Sequence, residues 1–159
     1  MTNHILSKSR FVAGWQCHKL LWWTVNEPDA EELQPDKVLQ DLFDQGRQVG
    51  EVARRWFPGG VLIQRRRGER ADSVAETKKA LDAGAPTIFE ASFEADGVHV
   101  AVDVLERIDD GFRLTEVKSA TSPKDEHLPD AAIQVHAWEA EGHGIETSSC
   151  GRAPPKALA

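Results

Sequence analysis

Residues 86–119, PTIFEASFEADGVHVAVDVLERIDDGFRLTEVKS, decide the fold. Two Asp-Gly dipeptides, Asp96-Gly97 and Asp110-Gly111, stand between runs rich in Val, Ile, Phe and Leu. Asp-Gly readily takes the two positive φ angles of a two-residue hairpin turn, so the stretch predicts a three-stranded antiparallel meander. The turns also fix registers. A loop at Asp96-Gly97 sets Ala95 against Val98, so paired numbers sum to 193 and Glu90 lies opposite Asp103. A loop at Asp110-Gly111 sets Asp109 against Phe112, which puts Asp103 opposite Lys118 and Leu105 opposite Glu116. Side chains alternate with period two, so Glu90, Asp103, Glu116 and Lys118 are expected on one face of the sheet.

Outward from the sheet, a helix is predicted from Pro129 over Ala131, Ala132, Ile133, Val135 and Trp138 to Gly142. After it the fourth strand reads as stunted, at residues 145–150, or missing. Upstream, a helix runs from an Asp72 N-cap to Gly84. Before it come a short strand at Val61-Leu62-Ile63 and a basic run, Arg65-Arg66-Arg67 with Arg70, that either is solvated or meets an anion. A longer helix opened by Pro35 carries Leu39, Leu42, Phe43, Val49, Val52, Ala53 and Trp56 at steps of three and four, and is expected to pack that face. Residues 7–23 read as short helical pieces, with Trp15, Trp22 and Trp23 taken as core.

Three carboxylates placed together raise one another's pKa values unless a cation offsets them. Asp103 and Glu116 are hard oxygen ligands suited to Mg²⁺ or Mn²⁺, and the Val117 carbonyl is a candidate third ligand. A metal-activated water beside Lys118 is then equipped to attack a phosphodiester. The competing interpretation of Glu116 and Lys118 is a surface ion pair of small energetic value. It is weakened because Phe112 and Leu114 share their parity and Val117 occupies the other, which makes the strand apolar on both sides.

Composition sets the bounds. At 159 residues, with 40% hydrophobic and 28% charged residues, the chain suits one folded domain. No apolar stretch is long enough to span a bilayer and no signal peptide is evident, so the expectation is a cytoplasmic protein without a membrane partner. The net charge of −7 conceals an asymmetry: residues 1–79 carry 13 Lys+Arg against 11 Asp+Glu, and residues 80–159 carry 6 against 15. An acidic half is either a solvated surface or a carboxylate cluster held for a cation. Two cysteines, Cys17 and Cys150, do not make a disulfide framework.

Asp103, a spacer of twelve and Glu116-Val117-Lys118 together resemble the D…(D/E)xK motif of the PD-(D/E)xK nuclease superfamily. That resemblance implies an α/β (α+β-like), restriction-endonuclease-like core of helix, three strands, helix and fourth strand. Gln134 and Trp138 are similar to the Q-x-x-x-Y element of its RecB-like branch, which implies an active-site role for Gln134. The segment Leu6-Ser7-Lys8-Ser9 through Gln16-Cys17-His18-Lys19-Leu20-Leu21-Trp22 resembles the opening of CRISPR-associated exonucleases and of a related bacterial family. The implied function is a metal-dependent deoxyribonuclease, an exonuclease or an endonuclease, acting on DNA.

The chain also departs from that pattern. In the RecB-like branch a metal-binding histidine follows a glycine of the first core helix, whereas here Glu51 follows Gly50, leaving Glu51 or Glu90 to substitute. The family joins one N-terminal cysteine, here Cys17, to three C-terminal cysteines around an iron–sulfur cluster, which two cysteines cannot complete. Residues 1–147 are therefore expected to form one nuclease-like domain: a helical part over 1–60, a sheet over 86–119 and a helix over 129–141. A disordered tail is expected over 148–159, and the chain is expected to be a C-terminally truncated copy of a longer protein. Two other classes stay open: a non-catalytic nucleic-acid-binding relic and a structural or partner-binding domain.

Overall fold

The computed structural model describes residues 5–64, 68–109, 111–119 and 125–144, and the backbone of 147–152. The chain is a mixed α/β structure. In order it forms β1 (Leu6–Ser7), α1 (Lys8–Gln16), α2 (His18–Asn26), a short 3₁₀ turn, α3 (Lys37–Arg54), β2 (Val61–Leu62) and α4 (Arg70–Asp82). Then follow β3 (Thr87–Ala95), β4 (Val98–Ile108), β5 (Gly111–Lys118), α5 (Leu128–Ala140) and β6 (Thr147–Arg152). The sheet order is β2-β3-β4-β5-β6, with β1 paired to β4 off that path. No helix among the described residues is long and apolar enough to cross a membrane.

Strands β3, β4 and β5 pair antiparallel in chain order. The first register is the predicted one, Ala95 against Val98 through Thr87 against Glu106, because Asp96 and Gly97 both take positive φ, 51° and 74°. The second register differs from its prediction by two residues. Gly111 joins the strand opposite Ile108, Asp109 moves into the loop, and Leu105 faces Leu114 rather than Glu116. Extended one step past Val104–Thr115, that register sets Asp103 against Glu116 rather than Lys118. A slip of two preserves which residues share a face, whereas a slip of one would have reversed them.

Strict alternation fails at one place. Glu90 has φ of 56°, and the ladder pair it would make with Asp103 is missing although the register is unchanged on either side. The main core takes Ile88 and then Ala91 and Phe93 from β3, and Val98, Val100 and Val102 and then Leu105 from β4. Both strands change phase across Glu90 and Asp103, so those two carboxylates sit at a kink rather than in a regular row.

The helices depart from prediction mainly at their starts. Asp36, not Pro35, caps α3 by accepting from the Leu39 N–H at 2.8 Å. Asp72 lies in the first turn of α4, whose cap is Glu69, and Gly84, with φ of 73°, follows its end as predicted. Pro129 lies in the first turn of α5. The fourth strand is neither missing nor a tail, because Thr147–Arg152 pairs parallel with Arg113–Lys118. The apolar stripe of α3 is largely uncovered: Leu39, Leu42 and Phe43 are exposed, as is Trp56 just past its end, and only Ala53 of that helix is buried. Trp15, 70% exposed, and Trp22 are likewise surface residues rather than core. The run Arg65–Arg67 lies outside the described residues.

Candidate active site

Three pieces of backbone bring charged side chains together. Strand β5 carries Glu116 and Lys118 past the end of its pairing with β4, where the Val117 N–H donates to Asp103 Oδ2 at 2.7 Å. The carboxylate thus takes the place of a main-chain acceptor. Helix α5 presents Asp130 and Gln134, one turn apart, and the Gln134 amide donates to Glu116 Oε2 at 2.8 Å and to the Asp130 carbonyl at 3.0 Å. The N-terminus supplies the third piece. Strand β1 pairs parallel with Val98 and His99, on the β4 edge that β5 uses farther along, and Ser7 caps α1 by accepting from the Arg10 N–H. Lys8 thereby reaches Glu116, with Nζ 3.1 Å from each carboxylate oxygen and 3.3 Å from Asp130 Oδ1. Lys118 Nζ donates to Glu116 Oε1 at 2.6 Å and also pairs with Asp130.

Asp103, Glu116, Val117 and Lys118 line one open cleft of about 630 Å³, whose other wall is α3. Gly50 and Glu51 stand on that wall, and Glu90 lines the cleft as well. The expected convergence therefore occurs, although through the kink at Glu90 and Asp103 rather than through a regular sheet face. Gln134 also joins the site. Trp138, one turn farther on, does not: it is fully buried against Phe93 and Phe112, and its indole N–H donates to the Gly144 carbonyl at 3.1 Å. Cys17 is an exposed free thiol between α1 and α2 and does not line the cleft.

Sequence reading missed Lys8 and Asp130. Asp130 was visible in principle as the residue one turn before Gln134. Lys8 lies 108 positions from its partner, and nothing local announces the contact.

The electrostatics of the cluster oppose its own charge. Burial pushes the Asp103 carboxyl above its ordinary pKa, the nearby Glu90 adds to this, and Lys8 works against it. Glu116, only 6% exposed, is also raised by burial, with Asp103 and Asp130 pushing the same way and Lys8 opposing. Burial works against charge on both lysines, yet their carboxylate neighbours, Glu116 foremost, hold both above the usual value. Asp130 is held low despite burial, by Lys8 and by the Lys118 hydrogen bond.

The donor chemistry fits a hard divalent cation, since Asp103 and Glu116 are oxygen ligands beside further carboxylates, Glu90 and Glu51, on the same cleft. Among the described residues no three His, Cys, Asp or Glu side chains form a ready coordination shell. At Glu116, Lys8, Lys118 and Gln134 engage both carboxylate oxygens.

One consequence concerns stability. A carboxyl whose folded pKa is raised stabilises the fold below its unfolded value and loses that contribution as pH rises through the folded value. At neutral pH, without divalent cations, Asp103→Asn should therefore raise the melting temperature by about 2–4 °C, the size of a ~1 kcal/mol gain in such a domain. The amide oxygen still accepts from Val117. Below about pH 4 the gain should disappear. Thermal melts across pH check this, and a lower melting temperature in the variant at pH 7 would contradict it.

Comparison of the chain with protein-family models, with curated proteins and with solved structures finds no match.

Proposed function

We propose that the chain is a metal-dependent nuclease domain of the PD-(D/E)xK kind, RecB-like in type, hydrolysing DNA phosphodiesters as an exonuclease or an endonuclease. The observation that carries this reading is the meeting of Asp103, Glu116 and Lys118 on one cleft with Gln134 fixed to Glu116. The order α4, three antiparallel strands, α5 and a parallel β6 supports it, since it is the order the motif resemblance implies.

Asp103 and Glu116 would hold Mg²⁺ or Mn²⁺, with the Val117 carbonyl, Glu90 and Glu51 as further oxygen donors near the cleft. The bound cation would supply a polarised water and positive charge for the phosphate. Lys118, kept protonated by Glu116 and Asp130, offsets negative charge that grows on the phosphate oxygens during attack. Gln134 acts through Glu116 as a positioning residue by occupying one of its oxygens. On the opposite wall, Arg47 and Arg54 offer guanidinium groups to backbone phosphates, while Leu42 and Phe43 offer exposed apolar surface to sugars and bases. Open space lies before that wall at Gly46 and Gly50, where a Cβ would meet nothing within 4 Å.

One observation favours a second reading, a nucleic-acid-binding relic: Glu116 is already satisfied by protein partners. Release of nucleotides from single-stranded and duplex DNA with Mn²⁺, Mg²⁺ or a chelator separates the two. The nuclease reading expects cleavage that the chelator abolishes. Salt-dependent binding without cleavage would support the relic.

A further inference from the structure

Lys8 is the charged group of the site that the nuclease reading leaves without a task. Its ammonium is equidistant, at 3.1 Å, from the two oxygens of Glu116, and lies 3.3 Å from Asp130 Oδ1. A position between both oxygens of a carboxylate is also one a chelated cation would take. The carboxylates that act on Lys8 most strongly are Glu116, Asp103 and Asp130, two of which are the candidate ligands. Its placement is secured from outside the site by β1 on the edge of β4 and by the Ser7 cap of α1.

We infer that Lys8 is a built-in competitor of the divalent cation: its ammonium neutralises Glu116 and Asp130 when no metal is bound and weakens metal binding at Asp103 and Glu116. This rests on the cation site of the preceding section. The physical argument is Coulombic. A fixed positive charge a few ångströms from a binding site disfavours a second cation there, whether the lysine is displaced or merely repels. The competitor enters with the N-terminal segment, so docking of β1 and α1 sets the affinity of a site built mainly from β4, β5 and α5.

Lys118 is a second positive charge beside Glu116 and Asp130, but the proposed chemistry needs it there, so Lys8 is the charge whose removal reads the competition alone.

The test is calorimetric titration of Mn²⁺ into the full chain and into Lys8→Gln and Lys8→Arg. Glutamine can still donate a hydrogen bond to Glu116 but has no charge, whereas arginine keeps the charge. Lys8→Gln should bind Mn²⁺ about tenfold tighter, the scale on which one nearby like charge shifts an equilibrium. Lys8→Arg should remain within about twofold of the parent, since the competing charge is preserved. Lys8→Met, which retains the apolar stem, repeats the measurement if the glutamine variant does not fold. Tighter binding in either neutral variant, including binding where the parent shows none, supports the competitor. Equal or weaker binding in a folded neutral variant overturns it and leaves the cation site standing. If the parent and the folded neutral variants all fail to bind, both ideas fall.

Discussion

Lys118→Ala is expected to lower Mn²⁺-dependent DNA cleavage about a thousandfold while leaving the chain folded, the scale found when one preorganised group facing transition-state charge is removed. The fold should survive because Lys8 still pairs with Glu116 and Asp130, so neither carboxylate is left buried without a cation. Gln134 continues to hold Glu116 Oε2. The loss should therefore fall on turnover, and Mn²⁺, which as a ligand of the folded chain alone should raise the melting temperature of the parent, should raise that of the variant as well. Cleavage within threefold of the parent would remove Lys118 from the chemistry, and loss of the Mn²⁺ effect on melting would make it a support of the metal shell instead.

The second large effect is structural. Trp138 is fully buried, with its ring centroid 5.1 Å from that of Phe93, 5.0 Å from Phe112 and 4.2 Å from His143. It joins α5 to β3 and β5, one turn below Gln134. Trp138→Ala should cost about 3–5 kcal/mol, the usual penalty for emptying an aromatic site in a core. The melting temperature should then fall by about 6–20 °C. Activity should fall with it, because α5 carries Asp130 and Gln134 to Glu116. Trp138→Phe, which leaves a smaller void, should recover part of the stability. A melting temperature within about 2 °C of the parent for Trp138→Ala would contradict the packing described above.

What the sequence could and could not disclose follows from the range of each interaction. The Asp96-Gly97 turn is local chemistry, and it predicted the β3–β4 register everywhere except at Glu90 and Asp103, whose pair does not form. The same logic at Asp110-Gly111 missed by two, because Gly111 is as acceptable in the strand as in the loop once two aspartates precede it. Period two protected the reading from that slip. The phase change at Glu90 left no trace in residue type, since a positive φ at glutamate is imposed by tertiary structure rather than by local preference.

The spacing of Leu39, Leu42 and Phe43 announced an amphipathic helix correctly but could not say whether anything covers its stripe. Lys8 and Asp130 were missed for a related reason: their role exists only once β1 has docked on β4 and α5 has packed on the sheet, which brings Asp130 to Lys118. Asp103, Glu116 and Lys118 were legible because turn chemistry and strand parity are short-range, whereas Gln134 came only from the resemblance of its helix to the Q-x-x-x-Y element.

The central claim is that Asp103 and Glu116 jointly hold the divalent cation on which cleavage depends. Anomalous scattering from a crystal of the full chain soaked in Mn²⁺ tests it most directly. A single strong peak within ligand distance of both carboxylates, lost in Asp103→Asn, is the predicted result. A peak at another cluster, or Mn²⁺-dependent cleavage with no peak near Asp103 and Glu116, would contradict it.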